Sequence, residues 1–387
     1  MSVTAASGFI AGGMACGIKE SGAPDLAIIA TEDYIPVPAA AVFTSNLAQA
    51  APVQISRAHL LSGGRAAAVV LSSGNANAAT GGPGRRDAAR MCELAAAGIN
   101  RAAADVLVCS TGLIGIPMPM APLEAGIPKL CGQLSVEGSA DAAKAILTTD
   151  TVVKEATEKV GLRVILGGMA KGAAMLSPAM ATMLAVITTD ALIERRPLSR
   201  ALAHAVAETF DCLSVDGCRS TNDTVIVLAN GRAGRVDEKA FEGALTSVCG
   251  SLAEQMARDA EGATKLVRIR VIGARTHDDA RLAARAVANS QLVQCSFNGG
   301  DAYWGRVLSE IGASGAYIDP EHVDISYNAV TVCRDGVACE HDAAELAKHM
   351  AGREIDLRCD LHEGHGDAIV LTTDLSHAYI DENRQTS

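Results

Sequence analysis

Residues Met169 to Ala191 read MAKGAAMLSPAMATMLAVITTDA. One cation, Lys171, stands near the start, and no further charge occurs until Asp190; Thr182 lies in the middle, between Ala181 and Met183. A stretch so poor in charge reads as buried, because apolar surface left in water costs roughly 25 cal/mol per Å2. It does not read as a membrane span, which needs about 20 mainly apolar residues, since it carries Ser177, Pro178, Thr182, Thr188 and Thr189. Taken alone, a threonine in such a place is a core hydroxyl satisfied by a neighbouring polar group.

The flanks of this stretch alternate between β-rich and helical periodicity. Upstream, Arg163 to Leu166 reads as a strand delivering Gly167-Gly168, and Ala140 to Leu147 as a helix ending in Thr148-Thr149-Asp150-Thr151. Further back, Leu26 to Ala30 and Ala67 to Leu71 are buried strands, Asp87 to Ala97 is a helix, and Asp105 to Cys109 is a strand ending in Ser110-Thr111-Gly112. Pro117, Pro119 and Pro122 punctuate the segment after Gly115. Downstream, helices are expected over Arg200 to Phe210, with Ser199 as cap, over Phe241 to Met256 and over Asp278 to Ser290, with strands at Thr224 to Ala229 and Val267 to Val271. No repeat and no low-complexity linker divides the chain. The expected fold class is α/β, as mixed α+β layers.

Composition narrows the function. The chain has 387 residues, enough for an enzyme-sized core, and a net charge of −11 from 33 basic and 44 acidic residues. Basic residues cluster no further than pairs such as Arg85-Arg86, so the electrostatic footprint of a nucleic-acid binder is missing. The eleven cysteines form no C-x-x-C pair and no short-loop framework, which fits a reducing cytoplasm. Each is read as a small buried hydrophobe, Cys109 and Cys249 among them. The N-terminus lacks a basic region followed by an apolar run and reads as mature protein. No metal site is expected: His362-Glu363-Gly364-His365 lacks the H-E-x-x-H spacing and its glycine suggests a turn. No phosphate loop, dinucleotide glycine pattern or serine elbow occurs.

The Met169 to Ala191 segment resembles the activation motif of the ornithine acetyltransferase family, whose members work in the arginine pathway and process themselves at an Ala-Thr bond. The agreement runs through Lys171, Gly172, Met175, Pro178, Met180, Ala181, Thr182, Met183 and Leu184. Further blocks occur in the family's order: SGFIAGGMACGIKESGAPDLA near the start, AAVFTSNLAQAAPV, SSGNANAATG, CSTGLIG, LTTDT, SVDGCRSTNDTVIVLANG, EGATKL and DAYWGR. The resemblance implies an ornithine acetyltransferase/DmpA-like fold cut into an α chain, 1–181, and a β chain, 182–387, which form one compact body.

It also implies chemistry. A threonine hydroxyl is a weak nucleophile without a base beside it, and the α-amine of the same residue can be that base once it is N-terminal. That amine titrates near about 7.7 to 8, so a useful share is neutral at cellular pH. Within an uncut chain it is an amide, so scission between Ala181 and Thr182 creates nucleophile and base together. The resemblance places the oxyanion hole at Thr111 and Gly112, as hydroxyl and amide donors, and substrate contacts at Thr148, Lys171, Thr182, Glu261 and Asn383; the family's hydroxyl residue five positions after Asn383 has no match here, and Thr386 or Ser387 is expected to stand in for it. It implies acetyl transfer from N-acetylornithine to glutamate, no cofactor, acetyl-CoA as a donor in some relatives, and a cytoplasmic heterotetramer of two α and two β chains with no membrane partner. Departures from the pattern are Ala174 for a glycine, Tyr303 for an asparagine, Cys218-Arg219 for an acidic then small pair, and an end at Ser387 without the usual tyrosine. These motivate a second reading, a specialised-pathway paralogue moving another acyl group between amino acids. An N-terminal-nucleophile amidohydrolase or peptidase, releasing acid to water, and an uncut binding protein are the readings from other classes.

Overall fold

Strands β1 (Phe9–Met14) and β2 (Leu26–Thr31) pair antiparallel, and β2 is buried along its whole length. Such a strand serves two cores, because successive side chains leave opposite faces. Ala27 and Ile29 join one cluster, while Leu26, Ile28 and Ala30 join another. That division sets the layers around it. The computed structural model describes residues 2–176 and 183–384. Among them are two compact units, Met1–Asp211 with Cys218–Met256 and Cys212–Gly217 with Ala257–Ser387.

The first unit continues through β3 (Val37–Phe43), α1 (Ala51–Gly63), β4 (Arg65–Ala66), β5 (Ala68–Asn75), α2 (Gly81–Gly98), β6 (Val106–Leu113), α3 (Met120–Cys131) and α4 (Ser139–Ala145). Then come β7 (Lys154–Val160), β8 (Val164–Lys171), β9 (Leu184–Leu192), α5 (Arg195–Glu208), β10 (Thr224–Arg235) and α6 (Glu238–Arg258). The strands form one sheet in the order β1-β2-β5-β6 and another in the order β4-β3-β10-β9-β8-β7. Val69, Leu71, Leu107 and Cys109 of the first face Met169, Val186, Ile226 and Leu228 of the second across a shared core. Val70, Val106 and Val108 leave the opposite face of the first sheet toward Met91 and Ala95 of α2 and Ile127 of α3. On the outer face of the second sheet, α5 lies on β3, and Gly168 meets Val248 and Leu252 of α6. The layers run helix, sheet, sheet, helix.

The second unit holds β11 (Leu266–Ala274), α7 (His277–Asn289), α8 (Gln291–Asn298), α9 (Trp304–Ala313), β12 (Asp324–Tyr327), β13 (Val330–Arg334) and β14 (Val337–Ala338). It ends with α10 (Ala343–Ala351), β15 (Glu354–Asp360), β16 (Gly366–Thr373) and α11 (His377–Asn383). Its sheet, β14-β13-β12-β15-β11-β16, shows clean alternation in β15: Ile355, Leu357 and Cys359 enter the core while Glu354, Asp356 and Arg358 face water. Ala280, Ala283, Ala284 and Val287 of α7 cover that core. The short excursion Cys212–Gly217 joins this unit, the Ser214 amide donating to the Leu371 carbonyl at 2.8 Å. Division by an excursion leaves no compositional linker for the sequence to reveal.

The α/β class expected from the sequence is what the layers display, with local revisions. The strand expected at Arg163 to Leu166 runs on through Gly167-Gly168 to Lys171, and the one expected to end at Cys109 carries Ser110-Thr111-Gly112 inside β6. The helix expected from Arg200 begins at Arg195 and is preceded by Glu194, so Ser199 lies within it rather than capping it. Pro119 and Pro122 sit at the start of α3, where the missing N–H is not needed. The charge-free stretch becomes β9 in its second half, because a strand buried on both faces reads as a continuous apolar run. Cys109 and Cys249 are buried as expected, and burial pushes the Cys109 thiol up to about 12. Cys218 and Cys295, by contrast, are exposed. Among the described residues no helix is long and apolar enough to cross a membrane.

Gly167 tests the sheet packing. A Cβ built there would stand 1.8 Å from the Ser2 carbonyl oxygen, so Gly167→Ala is expected to cost about 1–3 kcal/mol in urea unfolding. Gly243→Ala in the exposed face of α6, where nothing lies within 4 Å, is expected to stabilise by about 0.5–1 kcal/mol.

Candidate active site

Alternation along β6 sends Leu107 and Cys109 between the two sheets, and Thr111 shares their parity. Its side chain is 1% exposed, and its hydroxyl has no hydrogen-bond partner among the described residues. Gly112 comes next with φ +131°, and a Cβ there would stand 2.4 Å from the Gly74 carbonyl carbon. Only glycine permits this close approach of β6 to β5. An unsatisfied buried hydroxyl beside a glycine amide at a strand end suits a developing oxyanion.

Two side chains hold that strand end. Asn75 donates to the Ile116 and Pro117 carbonyls at 3.2 and 3.1 Å. Asn222, also buried, donates to the Ser110 carbonyl at 2.8 Å and the Ala76 carbonyl at 2.6 Å. The Ser110 carbonyl belongs to the peptide plane that carries the Thr111 amide, so Asn222 orients it.

Lys171 ends β8, almost wholly buried, with its Nζ 3.5 Å from Asp150 Oδ2. Asp150 is the hub of this corner. It accepts from the Lys154 ammonium at 2.7 Å, the Gly172 amide at 2.6 Å and the Thr148 amide at 3.1 Å. Burial disfavours its ionised form, but the Lys171 and Lys154 charges outweigh burial and hold the carboxyl well below the usual carboxylate range. Lys19 anchors the same loop by donating to the Leu147 carbonyl at 2.6 Å. Asp150 thus joins two buried ammoniums to the loop that carries Thr148.

Asp223 immediately precedes β10 and accepts from the Met183 amide at 2.9 Å, while the Thr224 amide donates to the Met183 carbonyl at 3.1 Å. Burial pushes the Asp223 carboxyl well above the usual carboxylate range, against the Met183 amide, the Ser220 hydroxyl and the Lys171 charge, which favour the anion. Thus Thr148 and Lys171 meet at Asp150, while Thr111 follows the Ser110 carbonyl that Asn222 holds, all in the first unit. Ala181 and Thr182 lie outside the described residues.

In the second unit Asn383 donates to Glu261 Oε2 at 2.8 Å and to the Tyr379 carbonyl at 2.9 Å. The structure therefore brings together two residues 122 positions apart. Thr386 lies outside the described residues. Tyr303 is half exposed beneath the Arg306 guanidinium, which stands 5.3 Å from the ring centroid. His362 lies in the connection from β15 to β16, with Asp324 at 3.2 Å and Asp360 at 3.7 Å.

A model of the ArgJ family matches residues 10–386. The chain belongs to the ArgJ family. It is similar to the arginine biosynthesis bifunctional protein ArgJ of Mycobacterium leprae, at 45% identity over 98% of this chain and 94% of the relative. The protein of that name from Streptomyces coelicolor is 46% identical over 99% of both chains. Among solved structures, the ArgJ protein of Bacillus halodurans aligns at 33% identity and a TM-score of 0.49, covering 51% of this chain and 96% of that one.

In this ArgJ-family sequence, motif reading passes over Asp150, Asn222 and Asp223. Asp150 lies in plain view within LTTDT, beside Thr148; its signal is that a buried lysine such as Lys171 requires a counter-charge. Asn222 and Asp223 lie in SVDGCRSTNDTVIVLANG, where no local pattern says which strand each side chain reaches.

Asp150→Asn leaves two buried ammoniums without their anion, and a loss of about 3–5 kcal/mol is expected from denaturant melts. The wild-type contribution has a definite sign. A carboxyl held below its unfolded value stabilises the fold at neutral pH and loses that contribution as pH falls through the carboxylate range. The gap between wild type and variant should therefore narrow on acidification.

Proposed function

We propose that this ArgJ-family protein is an acyltransferase of arginine biosynthesis that moves acetyl from N-acetylornithine to glutamate through an acyl-Thr182 intermediate. The Thr182 hydroxyl attacks the Ala181 carbonyl, the N-to-O shift gives an ester, and water releases a chain that begins at Thr182. Its α-amine then takes the hydroxyl proton as the hydroxyl attacks the donor's acetyl carbonyl, and returns it to the departing ornithine amine. Glutamate enters, its amine attacks the acyl ester, and N-acetylglutamate leaves. Acetyl-CoA serves as an alternative donor at the same nucleophile, with no cofactor.

The observation that supports this reading is the buried Thr111 hydroxyl without a partner among the described residues, next to Gly112 at φ +131°, in a chain of this family. The hydroxyl and the Gly112 amide stabilise the oxyanion in both the scission and the transfer. Lys171 and Thr148 bind substrate beside the nucleophile, and the Lys171 ammonium disfavours a second positive charge on the Thr182 amine. Glu261, Asn383 and Thr386 receive the amino-acid end, Glu261 pairing with an amino group. The chains 1–181 and 182–387 stay together because β8 and β9, one from each, are hydrogen-bonded neighbours with Lys171 opposite Leu184. Two such pairs assemble as a cytoplasmic heterotetramer.

Intact-mass spectrometry of purified protein beside Thr182→Ala tests this. The natural chain should give two co-eluting polypeptides, the second beginning Thr-Met-Leu, and the variant one inactive polypeptide. Product formed from N-acetylornithine without any amine acceptor would instead establish a hydrolase.

A further inference from the structure

Asp25, fully buried just before β2, gathers four consecutive backbone amides: Cys16 donates to its Oδ1 at 2.7 Å, and Gly17, Ile18 and Lys19 donate to its Oδ2 at 3.0, 2.6 and 3.1 Å. A loop pinned at successive amides fixes the backbone from which the Lys19 side chain departs. The Lys19 ammonium donates to the Pro24 carbonyl at 2.7 Å and, 128 positions along the chain, to the Leu147 carbonyl at 2.6 Å. A surface lysine keeps its ammonium in water. This one is partly buried and close enough to Lys171 and Asp150 to feel both charges.

The Leu147 carbonyl and the Thr148 amide belong to one planar peptide unit and point in opposite directions. The carbonyl receives the Lys19 ammonium, and the amide donates to Asp150 Oδ2 at 3.1 Å, so a cation and an anion grip that peptide from its two sides. Hydrogen bonds to charged partners are the stronger kind. β5 adds a second constraint. Gly74, at φ +106°, leaves room for the Lys19 stem, since a Cβ there would stand 3.1 Å from Lys19 Cγ, and the same Gly74 is the residue that Gly112 approaches. Lys19 therefore lies against the neighbour of the oxyanion strand while it holds the peptide that leads into Thr148. Resting on the reading of Thr148 as a substrate contact and of Thr111 and Gly112 as oxyanion donors, we propose that Lys19 is a positioning residue for the transfer reaction. It fixes the Leu147–Thr148 peptide so that Thr148 meets substrate at a set distance from the oxyanion donors.

Lys19→Met in the full chain is the test, because it keeps the stem against Gly74 and removes the ammonium. We expect a folded, processed enzyme whose KM for N-acetylornithine rises about 10-fold while kcat stays within about 3-fold of the natural value. Lys19→Arg, which restores a charged donor, should recover most of that affinity. A merely structural lysine would instead lower the folded fraction, hence kcat, and leave KM alone. An unchanged KM in Lys19→Met, with or without a fall in kcat, therefore overturns the proposal. If Lys19→Met is not folded or not cut, Lys19→Gln takes its place: its amide stops short of the Nζ position, so a raised KM supports the proposal and a natural KM overturns it. Thr148→Val, run in parallel, keeps the two readings apart. A natural KM there sinks the substrate contact itself, whereas a raised KM in Thr148→Val beside a natural KM in Lys19→Met sinks only the role of Lys19.

Discussion

The antiparallel pairing of β8 with β9, which sets Lys171 opposite Leu184, is the constraint on which the first unit turns. It obliges the chain to leave one strand and re-enter its neighbour at the same level of the sheet. β10 then lies parallel to β9 with Thr224 opposite Leu184, which brings Asn222 and Asp223 to that same level. From the facing sheet, Thr111 arrives on the inter-sheet side by the parity of β6. Three strand ends from distant parts of the sequence thereby meet at one corner, and each carries a polar side chain that a core of this kind would otherwise exclude.

Charge in that corner is arranged by contrast. Asp150 and Asp223 are both buried carboxyls, yet two ammoniums hold the first far down while burial drives the second up. The difference lies in distance to cations, since Asp150 touches Lys154 and stands close to Lys171, whereas Asp223 feels Lys171 only as a weaker influence. Two residues of one type are thus driven in opposite directions by their surroundings.

Much of this was legible along the chain. The strands at Leu26 and Ala67, the helices near Arg200, Phe241 and Asp278, and the α/β class all come from periodicity, because alternation and 3.6-residue spacing are local properties. Strand and helix ends were less legible: β6 runs through Ser110-Thr111-Gly112, and α5 starts five residues before the expected helix. There, pairing with β5 and packing against β3 override the turn and capping preferences of the residues themselves. Asp150, Asn222 and Asp223 escaped for a different reason, since each acts on a partner that only folding supplies.

By itself, then, the sequence determined the residue types available, the placement of a charge-free segment around Thr182, and membership of a family whose blocks recur in order. It determined this because composition and short motifs are written in consecutive residues. The tertiary structure decided which carboxyl meets which cation, that the Thr111 hydroxyl is buried with no described partner, and that Glu261 meets Asn383. Those are distances between segments tens to hundreds of residues apart, and burial and pKa depend on such distances alone.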